Sequence, residues 1–257
     1  MIYRIPVCVS LLAGLVLLAP MRGHCVNTVE GIARSLPAGE EVYTETHEFS
    51  GNGHHISYRD PAGALIAEKR LDYSCSESAP DWEQHDLRSG KREGGHWSGE
   101  TYVLQRDDRS NSITPDGTLV ASSGFDKFVR RNWEKLTSGT QVGFEFALPA
   151  RLTTIGMRIS KTSALPGEQG ISEWFRVEPS SPLFRMLAGA IVLGYDEERQ
   201  LQFYRGPSNI GDAKGGDLDV EIRYRRSPAT AGLAPVDAPQ EPQQPGGKNH
   251  QCPRSDA

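Results

Sequence analysis

Five of the seven histidines, His47, His54, His55, His85 and His96, fall between positions 47 and 96 of the 257-residue chain. Imidazoles bind divalent metals, carry protons and pair with carboxylates, so their spacing is the first chemistry to weigh. Segments 42–49 and 54–59 alternate apolar and polar residues around Ser50-Gly51-Asn52-Gly53, a loop rich in residues that accept positive φ. A hairpin closed by that loop sets Phe49 opposite His54, His47 opposite Ile56, and Glu45 opposite Tyr58. His47 and His54 then share a face as diagonal neighbours, about 7–8 Å apart at Cα, with Glu45 alongside. Two imidazoles and a carboxylate on one face are the start of a divalent-metal site, with His96 or Asp86 needed as a further ligand. The opposite face pairs Glu48 with His55. The sequence has neither HExxH nor HxH, so hydrogen-bonded sheet histidines are the competing reading.

Other reactive groups are less suggestive. There is no G-x-S-x-G elbow, His85 and Asp86 point to opposite faces of a strand, and Cys75 lacks a neighbouring cation to make it a thiolate. No catalytic residue is assigned, and no cofactor is named. The acidic loops at 106–111 and 212–217 lack the closing glutamate of a calcium loop. A net charge of −5 argues against a nucleic-acid groove. The aromatic residues of the second half have a double reading. Phe125, Phe128, Trp133, Phe144 and Phe146 either fill a core or line a cavity for an acyl chain or another apolar ligand.

The elements that must hold these residues are mostly strands. Val142, Phe144, Phe146 and Leu148 alternate with Gln141, Gly143, Glu145 and Ala147. Leu218, Val220, Ile222 and Tyr224 alternate with Asp219, Glu221, Arg223 and Arg225. One face in and one face out is the antiparallel signature, and roughly ten short strands can be counted this way. Leu65, Ala67, Leu71 and Tyr73 likewise share a face. One amphipathic helix is expected over 124–138, capped by Ser122 or Ser123, with Asp126 in its first turn and Gly139 as its stop. Its stripe is Phe125, Phe128, Val129, Trp133 and Leu136. A shorter helix follows Pro182. The expected fold is mainly β: a curved, half-barrel-like antiparallel sheet with one long amphipathic helix on its concave face. The alternative is a two-layer β-sandwich.

Residues 1–25 read as a cleavable signal peptide. Arg4 precedes the short apolar run Val7–Leu18, and Gly23-His24-Cys25 supplies a cleavage site. That run is shorter than the roughly 20 apolar residues of a membrane span, and no other segment reaches that length. The folded unit is placed at 36–226. Residues 227–257, with proline at 228, 235, 239, 242, 245 and 253, read as a disordered tail. Cleavage leaves Cys75 and Cys252, which an oxidising compartment would allow to pair.

The stretches YRDPAGALIAEKRLDYS, SGFDKFVRRNWEKL and GPSNIGDAKGGDLDVEIRY resemble segments of an uncharacterised family of exported bacterial proteins. The resemblance spans most of residues 40–226 and implies location and domain extent only. The order of strands is also similar to the half-barrel of periplasmic lipoprotein carriers, an analogy of architecture. The leading expectation is a periplasmic or secreted, non-catalytic binding or carrier protein for an apolar or lipid-like ligand. It would have no nucleic-acid partner and no membrane span once mature. The alternatives are a metal-dependent enzyme or metal-binding protein using His47, His54 and Glu45, and an envelope structural or interaction module.

Overall fold

In the computed structural model the two-residue alternation of the sequence is realised, among the described residues, as fifteen strands of one sheet. The structure describes residues 27–187, 189–212 and 216–226, together with Cys252. The expected signal peptide and, Cys252 apart, the expected tail lie outside the described residues.

The first eight strands form a continuous meander: β1 (Asn27–Ser35), β2 (Glu41–Ser50), β3 (Gly53–Arg59), β4 (Leu65–Asp72), β5 (Asp81–Asp86), β6 (Arg92–Ser98), β7 (Thr101–Arg106) and β8 (Arg109–Ile113). The chain then crosses to β9 (Leu119–Val120) and two short helices, α1 (Gly124–Arg131) and α2 (Trp133–Thr137). A second meander follows: β10 (Val142–Leu148), β11 (Thr153–Lys161), β12 (Glu173–Pro179), β13 (Ile191–Tyr195), β14 (Leu201–Pro207) and β15 (Asp219–Arg226), with α3 (Pro182–Leu187) between β12 and β13. β15 pairs antiparallel with β1, which joins the two meanders.

β8 and β9 are the opposite ends of this hydrogen-bonded order, yet residues 114–118 alone connect them. Fifteen strands laid flat at about 4.8 Å spacing would span roughly 67 Å. A link that short reaches about 20 Å when fully extended. The sheet must therefore roll up until its edges nearly meet. Polar side chains tie the gap: Asn111 Nδ2 donates to Leu152 O at 2.9 Å, and Arg106 Nη1 donates to Ala150 O. The curved antiparallel sheet is as expected from the alternation, and the two-layer sandwich is not what forms.

Three expectations change. The sheet includes residues ahead of position 36, because Asn27–Ser35 form β1; Gly31 and Ala33 on its inner face hide its alternation. There are more strands than the sequence pattern resolves. The long helix is two helices, broken at Asn132 (φ −99°, ψ 13°), whose side-chain Nδ2 donates to Phe128 O at 2.9 Å. An asparagine that bonds nearby backbone competes with helical continuation. Ser123 is the N-cap residue but makes no side-chain capping bond, and Gly139 ends the helical region at φ 88° as expected.

The inner face carries the core. Phe128, Val129, Trp133 and Leu136 of the helices pack against Phe144, Ile159, Phe175, Val177, Leu193 and Tyr195 of β10–β13. A second cluster on β1–β4 and β15 centres on Tyr43, Ile56, Tyr58, Leu71 and Ile222. Gly124 begins α1 because nothing larger fits: a Cβ there would lie 2.2 Å from Ser78 O. That contact seats the helix start against the segment after β4.

Candidate functional site

The β2–β3 hairpin folds in the register its sequence predicts. Phe49 is opposite His54, His47 opposite Ile56, and Glu45 opposite Tyr58. The loop itself is tighter, since Ser50 and Gly53 already pair and Gly51 (φ 57°) supplies the left-handed turn. The diagonal histidines meet: His47 Nδ1 and His54 Nε2 are 3.0 Å apart. Around them runs one chain of hydrogen bonds. Tyr224 OH donates to Glu45 Oε1 at 2.7 Å, and His47 Nε2 lies 3.1 Å from the same oxygen. At the other end His54 Nδ1 lies 3.2 Å from Tyr73 OH. One assignment satisfies every link: His47 Nε2–H donates to Glu45, His54 Nε2–H donates to His47 Nδ1, and Tyr73 O–H donates to His54 Nδ1.

Gly31 makes the first link possible. It is the register partner of both Glu45 and Tyr224, and a Cβ there would lie 2.8 Å from Glu45 Cγ and 2.9 Å from Tyr224 Cε1. The missing side chain lets the tyrosine reach across β1 to the acid.

These groups are buried, Glu45 and His54 being 3 % and 5 % exposed. Burial alone would raise the Glu45 pKa. The hydrogen bond from His47, the Tyr224 hydroxyl and the Lys69 charge outweigh it and hold the carboxyl below its usual value. Lys69 is the less expected neighbour, 2 % exposed on the same inner face, with Nζ 5.3 Å from the centre of the Trp82 ring. Burial pushes its ammonium down to about 8, against the opposing charges of Glu45 and Glu93. Its position was readable in principle, because 69 belongs to the parity of Leu65, Ala67, Leu71 and Tyr73.

His54 sets a pH dependence. Burial, helped by the nearby His47 and Lys69 charges, drops its pKa to about 2, whereas an unfolded histidine titrates near 6.5. Below pH 6.5 the unfolded chain binds a proton that the folded ring refuses, so stability falls as pH falls towards 2. Between pH 7 and 4.5 this ring should remove about 2–3 kcal/mol, in a window above the depressed carboxylates Glu45, Asp86, Glu168 and Glu178. Urea melts across that window should show the slope, and His54→Gln should flatten it. A slope unchanged in the variant would assign it to other groups.

The third metal ligand is not supplied by the residues considered for it. His96 alternates with the inward Gly95 and Trp97 and points outward, and Asp86 is held by Arg88 at 2.9 Å in the β5–β6 turn. Among the described residues no group of three or more His, Cys, Asp or Glu is placed to hold a metal. Both His47 nitrogens are engaged in the hydrogen-bonded chain. On the outer face His55 Nδ1 lies 3.3 Å from Glu48, the pairing expected there.

Beside this chain lies a half-open chamber of about 170 Å³ between α1 and the inner face of β1–β3 and β13–β15. Its wall is apolar and aromatic, including Val29, Phe49, Phe125, Leu201, Tyr204 and Tyr224, with His47, His54 and Tyr73 on one side. Asp126, Lys127, Arg130 and Arg226 add charge. Of the five aromatics proposed as ligand contacts, Phe125 lines the chamber. Phe128, Trp133 and Phe144 are 3 %, 7 % and 6 % exposed within the packed core, and Phe146 packs against that core from its edge. The chamber is smaller than the roughly 300–1,000 Å³ of drug-sized sites and close to cavities that hold one benzene, about 150 Å³. It suits a ring or a short acyl chain, not a whole lipid.

Fold and site together define a rolled, barrel-like β protein with a small amphipathic chamber. No protein-family model matches the sequence, and no curated protein matches it significantly. Among solved structures, the chain is similar to the crystal structure of a beta-barrel-like protein of domain of unknown function DUF1849 from Brucella abortus. The identity is 8 % and the TM-score 0.46, with 80 % of this chain and 99 % of that chain covered. Among the described residues no helix is long and apolar enough to cross a membrane.

Proposed function

We propose that this protein is an exported, non-catalytic binding protein that holds a small apolar ligand in the chamber under α1. The observation that carries the reading is the chamber itself: an aromatic wall beside a fixed set of polar groups, open on one side and built on a rigid sheet. Carrying or presenting a ligand needs no reactive residue. Export is supported by the leader-like sequence at 1–25 and by the Cys75–Cys252 disulfide, a bond that persists in oxidising compartments.

Native mass spectrometry of the gently purified exported protein tests this. A small adduct that vanishes on denaturation, and that is lost in Val29→Trp, where the indole fills the chamber, is the expected result. Bare protein mass, together with no melting shift from any of a panel of small neutral and anionic amphiphiles, would overturn the proposal.

A further inference from the structure

The chamber's polar groups are unevenly matched. Ser122 Oγ and Arg130 Nε are buried donors without a hydrogen-bond partner among the described residues, and both belong to lining residues. Tyr195 and Asp126 face each other from the sheet and the helix, close enough for a side-chain hydrogen bond from the phenol to the carboxylate, whose charge adds to burial in raising the phenol. Buried donors left unmatched are costly, so Arg130 Nε and Ser122 Oγ each mark a place on the chamber wall where an acceptor oxygen would be favourable.

The charges agree. Lys127, Arg130 and Arg226 line the chamber against one lining carboxylate, Asp126, which already binds Arg130 Nη2 at 2.7 Å. Lys127 is turned partly aside, 3.6 Å from Glu77 and 4.5 Å from the Tyr73 ring centre. Arg226, the register partner of Val29, brings a second guanidinium into the field of Arg130; burial and that like charge together lower its pKa. Asp126 and Asp196 only partly offset the repulsion. The two guanidiniums, partnered by Asp126 and by Gln200 Oε1, form a polar pole that carries net positive charge, and the aromatic wall forms the other. An arginine fork matches a carboxylate in shape as well as charge.

We infer that the ligand is a compact monocarboxylate, its carboxylate lying between Arg130 and Arg226 and its ring or short acyl chain against Phe49, Phe125 and Leu201. This rests on the binding function proposed above. The hydrogen bonds of His47 and His54 are used internally, so these rings present an aromatic rather than an ionic surface to the ligand.

The test is calorimetric titration of the mature protein with benzoate and hexanoate, and with benzyl alcohol and hexanol as neutral matches. The better acid should bind at least tenfold more tightly than its alcohol. That ratio should collapse towards one in Arg226→Gln and Arg130→Gln, and should shrink with added salt. Comparing the two acids distinguishes a ring-binding from a chain-binding wall. Equal binding of acid and alcohol by the unaltered protein would overturn the carboxylate inference and leave the binding function standing. Binding of none of the four at millimolar concentration would overturn both. The comparison within the unaltered protein stands even if an arginine variant misfolds.

Discussion

Glu45→Ala is expected to cost about 3–5 kcal/mol of folding stability, read as a lowered urea midpoint at unchanged slope. Three groups, Lys69 buried and Tyr224 and His47 half-buried, depend on this carboxylate. Tyr224 loses the acceptor 2.7 Å from its hydroxyl, His47 loses its partner at 3.1 Å, and Lys69 loses one of the two acids that offset its buried charge. Leaving a charge buried and uncompensated is among the most destabilising changes a single substitution makes. Glu45→Gln keeps an acceptor for Tyr224 but removes the charge, and should lie between alanine and the natural residue. A Lys69→Met substitution added to Glu45→Ala should recover part of the loss, because methionine fills similar volume without a charge to solvate. A cost below about 1 kcal/mol for Glu45→Ala would show that water reaches this network and that its groups are not interdependent.

Breaking the Cys75–Cys252 disulfide should have an effect of similar size for a different reason. The bond links residues 177 apart in sequence, with a Cα–Cα distance of 5.0 Å. In the chain-entropy account, a loop of that length constrains the unfolded state by about 5 kcal/mol at 25 °C. The bridge anchors Cys252 beside the end of β4, where Cys75 packs against the cluster of Trp97, Tyr102 and Leu104. Cys75→Ser/Cys252→Ser should therefore lower the urea midpoint markedly, and reductant should do the same to the natural protein but not to the double variant. Unchanged midpoints would mean that the unfolded chain gains little freedom on release.

The hairpin register was legible because it needs only local information. The turn at 50–53 fixes the partners of Phe49, His47 and Glu45, and a side-chain period of two then settles their face. The curved antiparallel sheet was legible from the same alternation. What the sequence hid depends on distant strands. Tyr224 reaches His47, and Arg226 joins the same chamber, only because β15 pairs with β1, and the pattern gives no register for strands so far apart. Gly31 is inconspicuous until both its neighbours are known. Phe125 and Phe128 sit on one helical stripe, yet the first lines the chamber and the second is core, a difference set by tertiary packing that the stripe does not encode. Asn132, which divides the helix, was hidden inside an otherwise regular stripe.

The β1–β15 pairing also has a consequence for the order of assembly. Each meander is built from hairpins between neighbouring strands, which close quickly because little chain must be gathered to form each one. The pairing of β1 with β15 is different, since it waits until the last strand exists and has found the first. The chamber straddles that seam, with Val29 on one strand and Tyr224 and Arg226 on the other. A chain released before β15 is made would hold two partial sheets and no chamber, so ligand binding reports completion of the whole fold.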